Sequence, residues 1–210
     1  MKILAHRGYW NNSIKNNSFE ALDKALNEGF GFESDIRDYK GKLVISHNIA
    51  DSDSFLASDI FERLSNHEDN FCFAINIKSD GLKDILFDEL NKYGINNYFT
   101  FDMSVPQMIE YREKGLKYFT RQSEYENDPV LYEDSCGVWI DAFVDDSWIT
   151  EELLSNHIKN GKRVCIVSPD LHKREYLSFW KRLREYKIDF NNVILCTDFP
   201  SEAKKYFNVN

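Results

Sequence analysis

Apolar and polar positions follow a repeating rhythm along the chain: a short apolar run, a polar turn, then a stretch of helical period. Nine short runs read as strands, at 2–6, 30–36, 43–47, 71–78, 98–102, 118–121, 138–143, 163–168 and 193–198. Helix signals fall between most of them. Asn17 or Ser18 can cap a helix with Phe19, Leu22 and Leu26 on one face, stopped by Gly29. Ser104 precedes one bearing Met108 and Ile109 before Gly115, and Thr150 precedes one bearing Leu153, Leu154 and Ile158 before Gly161. A basic stretch over 173–187 carries Leu177, Trp180 and Leu183 at helical spacing, which predicts an amphipathic helix with a solvated charged face.

Strands alternating with helices predict parallel βα units. The pair 30–36 and 43–47 breaks the rule, because six residues cannot make a parallel crossover. These two runs must form an antiparallel hairpin. Eight βα units remain, and the α/β class predicted is a (β/α)8 TIM barrel with a β-hairpin excursion after strand 2. A single domain over 1–210 accommodates it, with an open doubly wound sheet as the alternative.

Composition narrows the functional classes. A 42% hydrophobic and 15% aromatic content excludes a disordered chain. No run of 18 apolar residues exists, so nothing inserts stably into a membrane. The start, Met1 to Arg7, turns polar after five residues and lacks a signal peptide's apolar stretch. The net charge of -9 argues against a nucleic-acid partner, and against a membrane-surface role for 173–187. Cys72, Cys136, Cys165 and Cys196 show no CxxC spacing and read as buried thiols of a cytoplasmic, reducing compartment.

The active site of such a barrel forms at the C-terminal strand ends. Alternation puts Phe32, Ser34 and Ile36 against the helices and Gly31, Glu33 and Asp35 on the other face. In the next parallel strand Ala74, Asn76 and Lys78 share that inward face. Trp139 and Asp141 do so further along, and Arg121 ends its own strand. Two crowded carboxylates repel unless paired with Arg37 or Lys78 or bound to a cation, and an all-oxygen set selects Mg2+ or Ca2+. His6 and Arg7 end the first strand, and the hairpin returns His47 toward the carboxylates. Two histidines beside carboxylates suit proton transfer. His67, His157 and His172 read as solvated residues of surface helices.

Taken in order, these residues resemble a known family. His6-Arg7-Gly8, Glu33-Ser34-Asp35 and His47 look like the HRG…ExD…H signature of glycerophosphodiester phosphodiesterases. Further similarities run the length of the chain: Asn17-Ser18-Phe19-Glu20-Ala21, Gly41-Lys42-Leu43-Val44, Phe101-Asp102 and Thr197-Asp198-Phe199-Pro200. The resemblance implies a phospholipase-C-like TIM barrel that hydrolyses a phosphodiester of lipid-headgroup type. It implies Glu33, Asp35 and Asn76 as ligands of Mg2+ or Ca2+, His6 and His47 as the acid–base pair, and Arg7 and Lys78 as phosphate binders. Arg121, Trp139 and Asp141 would then be candidates for the substrate pocket.

Three departures stand out. The family's usual E-x-K third ligand is Asn76-Ile77-Lys78 here, so two carboxylates plus a dication sum to zero where three would leave -1. Weaker metal affinity than in an Asn76→Glu variant is the expectation. The family's W-T tryptophan is replaced by Val164-Cys165-Ile166, with Trp139 as a substitute wall or simply core. The segment 48–70 has room for about one helix, near 58–65, instead of the family's cap insertion. It accounts for a length of 210 where such barrels typically reach about 250. A non-catalytic phosphodiester-binding relative, and an enzyme acting on a phosphodiester of a surface polymer, are the readings that compete.

Overall fold

The computed structural model describes residues 1–67 and 71–209. Among the described residues there are nine strands: β1 (Lys2–His6), β2 (Gly31–Tyr39), β3 (Lys42–Ile45), β4 (Phe73–Ile77), β5 (Tyr98–Phe101), β6 (Phe119–Ser123), β7 (Gly137–Asp141), β8 (Arg163–Val167) and β9 (Val193–Thr197). The α-helices are α1 (Phe19–Asn27), α2 (Ala57–Ser65), α3 (Lys83–Lys92), α4 (Val105–Lys114), α5 (Glu151–Lys159), α6 (Leu177–Glu185) and α7 (Pro200–Tyr206). With β3 set aside, eight strands remain, helices follow all of them but β6, and the fold is of the (β/α)8 TIM-barrel class.

The chain divides into two compact units, Ala5–Tyr118 and Phe119–Asn210 with Met1–Leu4. In the first, β2 pairs in parallel with β4, and β4 with β5. β3 folds back antiparallel on β2, with Ile36 opposite Ile45 and Tyr39 opposite Lys42. The core centres on Phe32 and Phe73, whose rings lie 4.7 Å apart, with Phe61 6.0 Å from Phe73. Ser18 and Ser104 cap α1 and α4 by accepting from Ala21 and Gln107 backbone N–H groups. Gly115 ends α4 in the left-handed conformation. The segment beginning at Asn48 holds α2 where one helix is predicted, and its residues 68–70 lie outside the described residues.

In the second unit β6, β7, β8 and β9 pair in parallel in chain order. Residues of β7 and β9 are buried along their whole length, as strands covered on both faces must be. Thr150 caps α5, and buried Trp180 of α6 donates from its indole N–H to Ser168 Oγ. One predicted unit differs. No α-helix joins β6 to β7, because Asn127-Asp128-Pro129 and the left-handed Leu131 (φ 53°) break helical continuity. Helices α3 and α7 are not among the helices read from the sequence and emerge in the structure.

Candidate active site

The site is built from the first unit. At the end of β1 the chain makes a turn in which Arg7 (φ 56°) and Gly8 (φ 85°) both adopt left-handed backbone. Gly8 is required there for space as well: a Cβ would lie 2.6 Å from the Ala21 carbonyl carbon of α1. The turn is stitched to α1 by the Tyr9 N–H on Ala21 O at 2.8 Å, and by the Asn17 N–H on Arg7 O at 2.9 Å. This aims the Arg7 N–H at Glu33 Oε2 (3.2 Å) and sets Arg7 Nε 3.2 Å from Asp35 Oδ2.

Glu33 and Asp35 are buried, at 2% and 0% exposure. Asp35 is held on several sides. Lys78 Nζ lies 3.3 Å from Oδ1, and the Asn17 amide donates to Oδ2 at 2.6 Å while accepting from Ser34 Oγ at 2.7 Å. His6 Nε2 lies 3.8 Å from Glu33 Oε2. Burial pushes the Glu33 carboxyl up to about 7, the Asp35 charge adds to the rise, and His6, Arg7 and Lys78 oppose it. Two carboxylates and two side-chain cations leave the cluster close to neutral.

Asn76 lies beside Asp35 in the parallel register, and Phe101 beside Asn76. Asn76 Nδ2 donates to Asp102 Oδ2 at 3.1 Å. Two buried acceptors, Asp35 Oδ1 and Asn76 Oδ1, make no hydrogen bond; the Lys78 ammonium is near Asp35 Oδ1 without hydrogen-bond geometry. Buried acceptors without donors are costly in a protein interior. A divalent cation would satisfy them, and carboxylate and amide oxygens are the donor set of Mg2+ or Ca2+. No group of three His, Cys, Asp or Glu that could hold a metal ion occurs among the described residues; the further oxygen offered here is the Asn76 amide.

The hairpin carries the next candidate. The Ser46 N–H donates to Asp35 O at 3.0 Å, so the backbone just before His47 is tied to the carboxylate strand. The His47 ring is exposed, with Nδ1 3.1 Å from Asn48 Oδ1, and Arg37 Nε donates to its carbonyl at 3.4 Å. The structure thus groups His6, Arg7, Glu33, Asp35, Asn76 and Lys78 by direct contact or strand register. His47 joins them through the backbone of its neighbour.

Arg121, Trp139 and Asp141 belong to the second unit. Arg121 forms a forked ion pair with Glu126, at 2.5 Å from Nε and 3.1 Å from Nη2. Trp139 is buried in β7, as core. Asp141 accepts from or pairs with His172 Nε2 at 2.7 Å. Two histidines depart from the solvated reading. His172 lies in a 3-10 turn (Pro169–His172) that follows β8, which places it against Asp141. His157 is buried on α5 between Tyr132 Oη (2.9 Å) and Gln122 Oε1 (2.8 Å). Burial lowers the readiness of His157 to protonate. His67 sits edge-on to Phe71 at 4.9 Å.

The sequence offers Asn17 or Ser18 as the cap of α1 and gives Asp102 no role of its own. Ser18 takes the cap, and Asn17 (φ 53°) turns its amide onto Asp35. Asp102 (φ 65°) turns back onto Asn76. Asn and Asp are the side chains that best tolerate left-handed backbone, which is the signal for these turns at either position.

Comparison of the sequence with family models and with curated proteins finds no match. Solved structures do match. A protein from Galdieria sulphuraria provisionally assigned as a glycerophosphodiester phosphodiesterase superposes with a TM-score of 0.78 at 15% identity, over 99% of this chain and 97% of that one. A glycerophosphodiester phosphodiesterase from Parabacteroides distasonis gives 0.70 at 15% identity, over 99% and 96%. An Oleispira antarctica phosphodiesterase in complex with the product sn-glycerol-3-phosphate gives 0.65 at 13% identity, over 99% and 97%. The tryptophan synthase A-subunit of Pyrococcus furiosus also matches, at 0.56. At these identities the likeness is one of fold.

Proposed function

We propose that the protein is a metal-dependent phosphoric diester hydrolase of glycerophosphodiester type, which converts a small-molecule phosphodiester and water to a phosphomonoester and an alcohol. One catalytic domain over 1–210 would carry it. The observation that supports this most is the pair of buried carboxylates, Glu33 and Asp35, ringed by His6, Arg7, Lys78 and Asn76. The fold likeness to phosphodiesterases, one of them holding sn-glycerol-3-phosphate, points the same way. Four free thiols, three of them buried, suit a reducing cytoplasm.

Each side chain then has a task. Glu33, Asp35 and Asn76 would hold Mg2+ or Ca2+, which would supply charge neutralisation and polarisation of a phosphoryl oxygen. Arg7, braced by Asp35 through Nε, offers the rest of its planar fork to the phosphate, and Lys78 adds a point charge. His6 and His47 move the two protons: one leaves the attacking hydroxyl, and one goes to the departing alcohol oxygen. Glu33 Oε2 lies 3.8 Å from His6 Nε2, so one carboxylate of the site borders one of the two proton carriers.

Hydrolysis of bis(p-nitrophenyl) phosphate and glycerophosphocholine with Mg2+, Ca2+ or Mn2+ tests the reading. Turnover should require metal, and His6→Ala or His47→Ala should each lower kcat by about 10²- to 10⁴-fold. Binding of phosphodiester without turnover, unchanged in both variants, would favour a non-catalytic binder built around the neutral Asn76 ligand.

A further inference from the structure

Asp102 closes β5 with a carboxylate that the mechanism above does not use. It follows Phe101, the register partner of Asn76, which is itself the partner of Asp35. Continued as a strand, residue 102 would point away from residue 101's neighbours. Its backbone instead turns left-handed, at φ 65°, and brings Oδ2 to 3.1 Å from Asn76 Nδ2. Left-handed backbone is uncommon for a non-glycine residue, and such outliers cluster at functional sites. Helix capping does not account for it, since Ser104 caps α4.

The contact has a chemical consequence. A carboxylate only accepts hydrogen bonds, so it must face the NH2 end of the Asn76 amide. The other end, Oδ1, is then directed elsewhere; it is buried and accepts nothing, like Asp35 Oδ1 on the adjacent strand. Asp102 therefore decides which atom of Asn76 is presented. A carboxylate on the amide N–H also polarises the amide and makes its oxygen a stronger donor, as outer carboxylates do for metal-bound imidazoles.

We infer that Asp102 is a positioning residue for the divalent cation held by Glu33, Asp35 and Asn76, supplying through the amide a negative charge that Asn76 itself lacks. This rests on the cation site proposed above. The test is direct binding of Mn2+ to the full chain, by calorimetry and by electron paramagnetic resonance, alongside thermal melts of the metal-free protein. Asp102→Gly removes the carboxylate and relieves the left-handed backbone, and should weaken Mn2+ binding about 10- to 100-fold without lowering the metal-free Tm. The exchanged pair Asn76→Asp with Asp102→Asn keeps the hydrogen bond, moves the charge onto the ligand, and should bind at least as tightly as wild type. A structural role alone would lower the metal-free Tm of D102G and leave affinity within twofold, which overturns the inference. Equal binding by wild type and Glu33→Gln would remove the cation site itself, and this inference with it. Loss in E33Q with D102G at the wild-type value overturns the role of Asp102 alone.

Discussion

Glu33 is the residue on which charge, burial and proton uptake meet. Its carboxyl titrates near 7 in the metal-free fold and near 4.5 when solvated, so the folded state holds its proton more tightly. The stability this contributes is complete below about 4.5 and is lost as pH rises through about 7, by on the order of 3 kcal/mol. Chemical denaturation of metal-free protein should show that fall, and Glu33→Gln should flatten it; an unchanged slope in E33Q would refute the assignment. Gly8 sets a second expectation. Any side chain there needs both a left-handed backbone and room that Ala21 occupies, so Gly8→Ala should cost more than about 1 kcal/mol in a urea melt. Glu33, Asp35, Asn76 and Lys78 were legible in the sequence because strand alternation assigns a face from spacing alone. The contacts of Asn17 and Asp102 were not, since single left-handed residues leave no periodic trace.

At the level of elements, all nine strands and the hairpin could be read from apolar runs and loop length. Six residues exclude a parallel crossover whatever the rest of the fold does. The β6–β7 connection was harder, because a helix is the default between parallel strands and its breakers are scattered. One carboxylate ties the start of that connection to the loop after β7. Glu124 accepts from the backbone N–H groups of Phe143, Val144 and Asp145 at 2.9–3.0 Å. Partial burial pushes its carboxyl up, but these donors win and bring it down to about 2. The stability it supplies is present above about 4.5 and is lost as pH falls toward 2. Glu124→Gln should weaken the loop at neutral pH and reduce the acid sensitivity of the melt. A variant with the wild-type acid profile would show that the three N–H groups do not depend on the charge.

For the whole molecule, a net charge of -9 sits awkwardly with an anionic substrate. The conflict is local and is resolved locally, since Arg7 and Lys78 offset Glu33 and Asp35 before any cation is added. On the inference drawn above, the charge that Asn76 withholds from the site is supplied by Asp102, whose carboxylate accepts from the Asn76 amide. Fold class was legible because eight apolar runs and their spacing admit few topologies; neither alcohol of the substrate is written in that spacing. The central claim is metal-dependent phosphodiester cleavage at Glu33 and Asp35. The most direct measurement follows glycerophosphocholine by phosphorus NMR, with protein stripped of metal and then resupplied with Mg2+ or Ca2+. The account predicts a phosphomonoester signal only after resupply, absent in Asp35→Asn. Equal conversion by stripped, resupplied and D35N protein, or none by any of them across the phosphodiesters tried, would contradict it.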